Sequence, residues 1–195
     1  MHYIRFLKPP RLGRSGSGPA TLNAKITITT DLGEAFLAAD VALVVQLEVD
    51  EGNGKGRSVT VVGKEYVWRG REGMRALEVE ARVPLSGGRK SGRALTMLVR
   101  PKEDSVSINT FSEVLGTCSE DGEGGGVVPV RSMDVYTSST GTSMAERILT
   151  HGSGNSKVDV CIWEETGESI ARHIWYAPTR REPACWTGTS SISFH

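Results

Sequence analysis

Cysteine is scarce in this chain of 195 residues. There are three, Cys118, Cys161 and Cys185, odd in number and far apart. They give no disulfide framework and point to a reducing compartment, cytoplasm or nucleus. An excess of one charge is also missing, because 23 Lys and Arg balance 23 Asp and Glu. A general nucleic-acid binder carries a basic excess, so that class is set aside. No run of about 18 apolar residues occurs, which excludes a membrane-spanning helix. The apolar stretch Tyr3–Leu7 is interrupted by Arg5 and closed by Lys8-Pro9-Pro10, so it is not a secretory signal. Aromatics make up only 6%, whereas there are 23 glycines and 8 prolines. That balance describes a partly globular chain with sizeable loops.

What is present is alternation. Tyr3–Leu7 reads as a short strand ended by Pro9-Pro10, followed by a Gly/Ser-rich loop from Arg11 to Pro19. Ala24–Thr29 alternates and is β-branched. Val41–Val49 carries Leu43, Val45, Leu47 and Val49 on one face. After a polar loop over residues 50–57 come Val59–Val62 and Glu65–Trp68. Ala76–Val83 sets Leu77, Val79, Ala81 and Val83 against Glu78, Glu80 and Arg82. Such a pattern suits an antiparallel sheet with one wet face. Ala94–Val99 and Val106–Phe111 add two more strands. The fold expected is mainly β, with residues 1–115 forming an antiparallel sandwich- or barrel-like N-terminal domain.

Beyond Leu115 the pattern loosens. Residues 116–157 read as a Gly/Ser-rich connection. Within it, Val127–Val130 contains Pro129 and is at best an edge strand. Ser143 stands three before Glu146, the spacing of a capping box, so a short helix is expected there, ended by His151-Gly152. Val158–Trp163 is strand-like, and Glu164–Trp175 reads as helical with Ile170, Ile174 and Trp175 on one side. Residues 158–175 thus form a short strand-helix stub. Residues 176–195 are an irregular tail, broken by Pro178 and Pro183.

Several constellations invite a chemical reading. Glu120–Gly126 matches E-x-G-x-G-x-G, but no apolar strand precedes it and Val127-Val-Pro129 follows, so a plain acidic-glycine loop is the better account. Gly13–Gly18 and Gly52–Gly56 lack phosphate-loop spacing and read as strand connections. His151, Cys161 and His173, with Cys118, have no metal-ligand spacing. Cys161 with His173 is a nucleophile pair only on paper, because Cys161 lies in an apolar run and reads as a buried thiol. Tyr66, Trp68, Arg69 and Arg71 are the nearest thing to an aromatic and basic surface, and a strand edge explains them as well. Trp163 and Trp175 read as core aromatics at an element junction.

Two stretches resemble a known family. Met1–Leu12 followed by Ile26–Gly33 resembles the opening of fungal methyltransferase-domain proteins. Val160–Trp163 followed by Glu164–Trp175 is similar to the start of their catalytic domain. These proteins are similar to family-16 seven-strand methyltransferases, which include protein-lysine methyltransferases. The resemblance implies S-adenosylmethionine as cofactor and a protein as methyl acceptor. It carries one site residue over, Trp175, whose family counterpart borders the cofactor pocket. The chain departs from the family right after Trp175, where Tyr176-Ala-Pro-Thr-Arg-Arg replaces a continuing helix. The expectation is therefore a truncated member, inactive as this chain and not binding the cofactor, with no catalytic or metal residues to name. The alternative is a non-enzymatic β-sandwich module that binds a protein partner through an edge strand or loops. Neither nucleic acid nor membrane is expected as a partner, and the oligomeric state is left open.

Overall fold

The alternation of Val41–Val49 becomes the centre of the fold. In the computed structural model, Leu43, Val45 and Leu47 are fully buried and Val49 nearly so. The structure describes residues 1–13, 20–50, 58–83, 94–116, 126–136, 144–152, 157–166 and 173–174. The strands are β1 (His2–Gly13), β2 (Thr21–Thr29), β3 (Asp40–Asp50), β4 (Ser58–Arg69), β5 (Leu77–Arg82), β6 (Ala94–Pro101), β7 (Val127–Val128), β8 (Val130–Ser132), β9 (Val135–Tyr136), β10 (Met144–His151), β11 (Val158–Glu165) and β12 (His173–Ile174). One short helix, α1, spans Phe111–Gly116. The expected mainly β fold with antiparallel sheets is what these residues form. Among the described residues, no helix is long and apolar enough to cross a membrane.

The strands make two sheets. The short sheet runs β5-β2-β1-β7. The long sheet runs β12-β11-β10-β8-β6-β3-β4, with β9 also beside β6. Pairing is antiparallel except between β1 and β7. The main core lies between the sheets: Ile4, Phe6, Leu22, Ile26 and Ile28 of the short sheet meet Leu43, Val45, Leu47 and Met97 of the long one. A second cluster, Ile108, Val128, Leu149 and Ile162, packs against Tyr3, on the other face of β1. The β10–β11 end of the long sheet therefore curls over the outer face of β1. This explains why β1 buries consecutive residues, Ile4, Arg5 and Phe6, rather than alternate ones.

Several expectations are corrected. β1 does not stop at Pro9-Pro10 but runs to Gly13. The prolines fall where the β1–β2 register shifts between Lys8 and Arg11, a position that needs no amide donor. Val59–Val62 and Glu65–Trp68 are parts of one strand, β4, with a register shift opposite Val45–Leu47. Val106–Phe111, expected as a strand, makes only isolated parallel bridges, Ser107 with Val127 and Thr110 with Thr150, before α1 begins at Phe111. Pro129 separates β7, at the edge of the short sheet, from β8, inside the long one, so the chain changes sheets there. Residues 144–151, expected as a capped helix, are strand β10, with Ala145, Arg147 and Leu149 turned inward. In the expected helix at 164–175, Glu164, Glu165, His173 and Ile174 are strand, and Glu164 and His173 pair across β11 and β12. Strands of the expected connection and stub thus join both sheets, β7 beside β1 in the short one and β8, β10, β11 and β12 in the long one with β3 and β6.

Candidate functional site

The residues singled out in the sequence fall in separate places. Trp175, the one cofactor-neighbouring residue implied by the resemblance, lies outside the described residues, as do Cys118 and Cys185. So do the Gly52–Gly56 loop and the tail from 176. Of Glu120–Gly126 only Gly126 is described. A Cβ there would sit 2.5 Å from Ile108 Cγ1, and its carbonyl accepts the His2 amide at 3.0 Å. This glycine serves close packing at the start of β7, which is not how a glycine at a cofactor is used. Cys161 is buried on β11, while His151 is exposed at the end of β10. Among the described residues, no three His, Cys, Asp or Glu gather as metal ligands. Trp68 is fully buried and donates its indole N–H to the Leu37 carbonyl at 2.9 Å, so it belongs to the core.

The curl of the long sheet encloses a charged cluster. Arg5 of β1, Arg147 of β10 and Glu164 of β11 are all almost wholly buried. Arg5 Nη1 donates to Glu164 Oε1. Arg147 Nε and Nη2 donate to the other oxygen, Oε2, at 3.0 and 2.6 Å. Arg147 also donates to the Ile4 carbonyl at 2.6 Å and the Pro129 carbonyl at 2.9 Å. Arg5 reaches the Asp31 carbonyl at 2.5 Å. The Tyr3 ring stands 5.5 and 5.2 Å from the two guanidinium carbons, a cation–π arrangement on both. Burial lowers the Arg5 pKa, an effect that Glu164 opposes. Burial raises that of the Tyr3 phenol. Both oxygens of Glu164 are thus engaged, and the carboxylate bridges the two sheets. Its chemistry is that of a tie rather than a reactive centre.

The same face of the short sheet opens to solvent farther along. Thr29 and Thr27 of β2 are buried beside the cluster, but Lys25 and Asn23, next on that face, are exposed. Strand register builds two rows there. One is Lys8, Lys25 and Glu78; the other is Arg11, Asn23 and Glu80, each taken from β1, β2 and β5. The rows floor a groove of about 640 Å³ whose far wall is Lys64 and Tyr66 of β4. A Cβ on Gly13 would meet Asn23 Nδ2 at 2.3 Å, so glycine there leaves room for that amide.

The wall is tied to the β5 edge. Tyr66 Oη accepts the Glu80 amide N–H at 2.7 Å and donates to the Glu80 carbonyl at 3.1 Å. Lys64 Nζ donates to Glu80 Oε1 at 2.5 Å and stands 5.2 Å from the Tyr66 ring centre. The hydrogen bond to Glu80 holds the Lys64 ammonium above its usual pKa and, first among its causes, holds Glu80 below its own. A lysine kept protonated is neither base nor nucleophile. Lys8, Arg11 and Lys25 have no ion-pair partner among the described residues. Sequence reasoning found Tyr66 but not these three, because only the register of three strands brings them together. No family model, curated protein or solved structure matches this chain.

Proposed function

We propose that this β-sandwich is a non-catalytic module that binds a protein partner over the open half of the short sheet's outer face. One observation carries the reading. Lys8, Arg11 and Lys25 stand exposed around one groove with no counter-charge engaged among the described residues, in a chain whose net charge is zero. Neighbouring like charges repel, and surfaces usually intersperse the signs. A local cationic excess on a neutral chain is accounted for by a complementary surface. The groove offers fixed charge and an aromatic wall, and its one perturbed cation, Lys64, is held protonated. That is equipment for binding.

The resemblance to protein-lysine methyltransferases fits the same reading, with the methyl-accepting protein as the partner.

The test is site-specific photo-crosslinking in cells with the full chain. One probe replaces Asn23 in the groove, and a control probe replaces Val67, exposed on β4. The expected result is a discrete protein adduct at position 23, absent at 67 and lost when Lys8→Glu and Lys25→Glu are added. The same adducts at both positions, or none at 23, would overturn it.

A further inference from the structure

We infer that the segment entering this groove is an extended acidic peptide, lying along β1 and β2 with alternate carboxylates over the two rows. The inference rests on the binding-module reading and adds the chemistry of the ligand. Its basis is spacing. Lys25 and Asn23 are two apart on β2, so the rows they anchor repeat every ~6.6–6.8 Å along the strand. An extended peptide presents same-side carboxylates at that interval. The first carboxylate falls between Lys8 and Lys25, which face each other across β1 and β2. The second falls on Arg11 and the Asn23 amide, the next pair in register.

Both rows then change sign. Each ends on β5 in a carboxylate, Glu78 or Glu80. A ligand that carries negative charge on its β5 side as well would meet those two groups. This disfavours a nucleic-acid strand, whose phosphates cannot alternate with cations, and favours a peptide with a basic or neutral residue toward β5. The aromatic wall points the same way. Lys64 already covers one face of the Tyr66 ring at 5.2 Å, so a base cannot stack there without displacing it. A single small anion is also a poor match, because the cations are spread over two rows instead of converging on one point.

The experiment is a titration of the isotopically labelled full chain, followed by backbone amide shifts. Three probes are used: a Glu-Thr-Glu-Thr-Glu-Thr peptide, a Glu-Glu-Glu-Thr-Thr-Thr peptide of equal charge, and a single-stranded oligothymidylate. The alternating peptide should shift amides of β1, β2 and β5, and bind more tightly than the clustered one. Lys8→Glu with Lys25→Glu should weaken it by about tenfold or more, the scale of two reversed charge contacts. Both sites are exposed, and an unchanged amide pattern elsewhere certifies the fold of the variant. Equal binding of the two peptides, tighter binding of the oligonucleotide, or insensitivity to the charge reversals would overturn the inference. A groove-specific crosslink with no preference for the alternating peptide refutes the ligand chemistry alone. Loss of the crosslink as well refutes the binding module.

Discussion

Arg147 and Glu164 meet inside the fold with two hydrogen bonds to one carboxylate oxygen, 3.0 and 2.6 Å long. They lie on neighbouring strands, and Arg5 takes the other oxygen from the opposite sheet. Glu164 is therefore the buried negative charge that two buried guanidiniums share, with the more exposed Asp31 carboxylate 3.5 Å from Arg5. Glu164→Gln keeps the shape and removes the charge. Breaking a buried ion pair from one side costs about 3–5 kcal/mol, because the remaining charge stays desolvated. Urea unfolding should show that loss. Glu65→Gln, which breaks the exposed pair with Lys102, should cost under about 1 kcal/mol. Equal costs for the two substitutions would mean that the cluster is hydrated.

Tyr66 ties β4 to β5, edge strands of the two sheets, at the groove. Its hydroxyl occupies both backbone groups of Glu80. An edge strand with unsatisfied backbone groups invites pairing with another chain, and here a side chain blocks it. Tyr66→Phe keeps the ring and frees the edge. The expected cost is about 1 kcal/mol in urea unfolding. The sharper readout is hydrogen exchange, where the Glu80 amide should lose protection while amides of β3 keep theirs. Unchanged protection at Glu80 would show that another group satisfies it.

The fold was legible where one face is wet. β3 and β5 follow period-two patterns of apolar residues, and both form as read. Legibility failed where charge is buried. Arg147 occupies the inward register of β10 between Ala145 and Leu149, and Glu164 does so on β11. A charged residue in an inward slot interrupts the alternation that marks a strand, so residues 144–151 look helical and β11 reads as strand only as far as Trp163. The pairing that makes such slots tolerable joins residues 5, 147 and 164, and no local pattern contains it. The groove was hidden for a related reason. Lys8, Arg11 and Lys25 are ordinary surface residues until register aligns them.

Gly70 marks a close approach that the sequence does not announce. It follows β4 in a single 3-10 turn over Gly70–Glu72. A Cβ there would stand 2.2 Å from the Leu37 carbonyl oxygen and 2.5 Å from that of Ala39. Both obstacles are backbone, and the Leu37 carbonyl also accepts the Trp68 indole. The segment cannot yield without losing that buried bond. Gly70→Ala should therefore destabilise by about 1–3 kcal/mol, the range of overpacked cores. The Trp68 fluorescence maximum should move to the red in the folded state. Gly73→Ala is the control. A Cβ meets nothing within 4 Å there, but φ is +76°, so its cost is backbone strain with no change at Trp68.

The capping box was read at Ser143–Glu146, and it forms at Thr110–Glu113. The sequence carries the same S/T-x-x-E spacing at both places, so spacing alone cannot choose. Tertiary pairing decides: β10 is held in the sheet between β8 and β11, whereas the residues after Thr110 lie against β10 without joining a sheet. At Thr110 the box is reciprocal. The Glu113 amide donates to Thr110 Oγ1 at 3.2 Å, and Glu113 Oε2 accepts from the amides of Asn109 and Thr110 at 2.7 and 2.9 Å. Those bonds, Asn109 first, hold the Glu113 carboxyl below its ordinary pKa of 4.5. A carboxylate with a lowered folded pKa adds stability above its unfolded pKa and loses it as pH falls through the folded value. The wild-type chain should thus lose more stability than Glu113→Gln between about pH 5 and 3. Thr110→Ala should cost about 1 kcal/mol at neutral pH. Parallel pH–stability curves for Glu113→Gln and the wild type would show that the carboxylate titrates alike in both states.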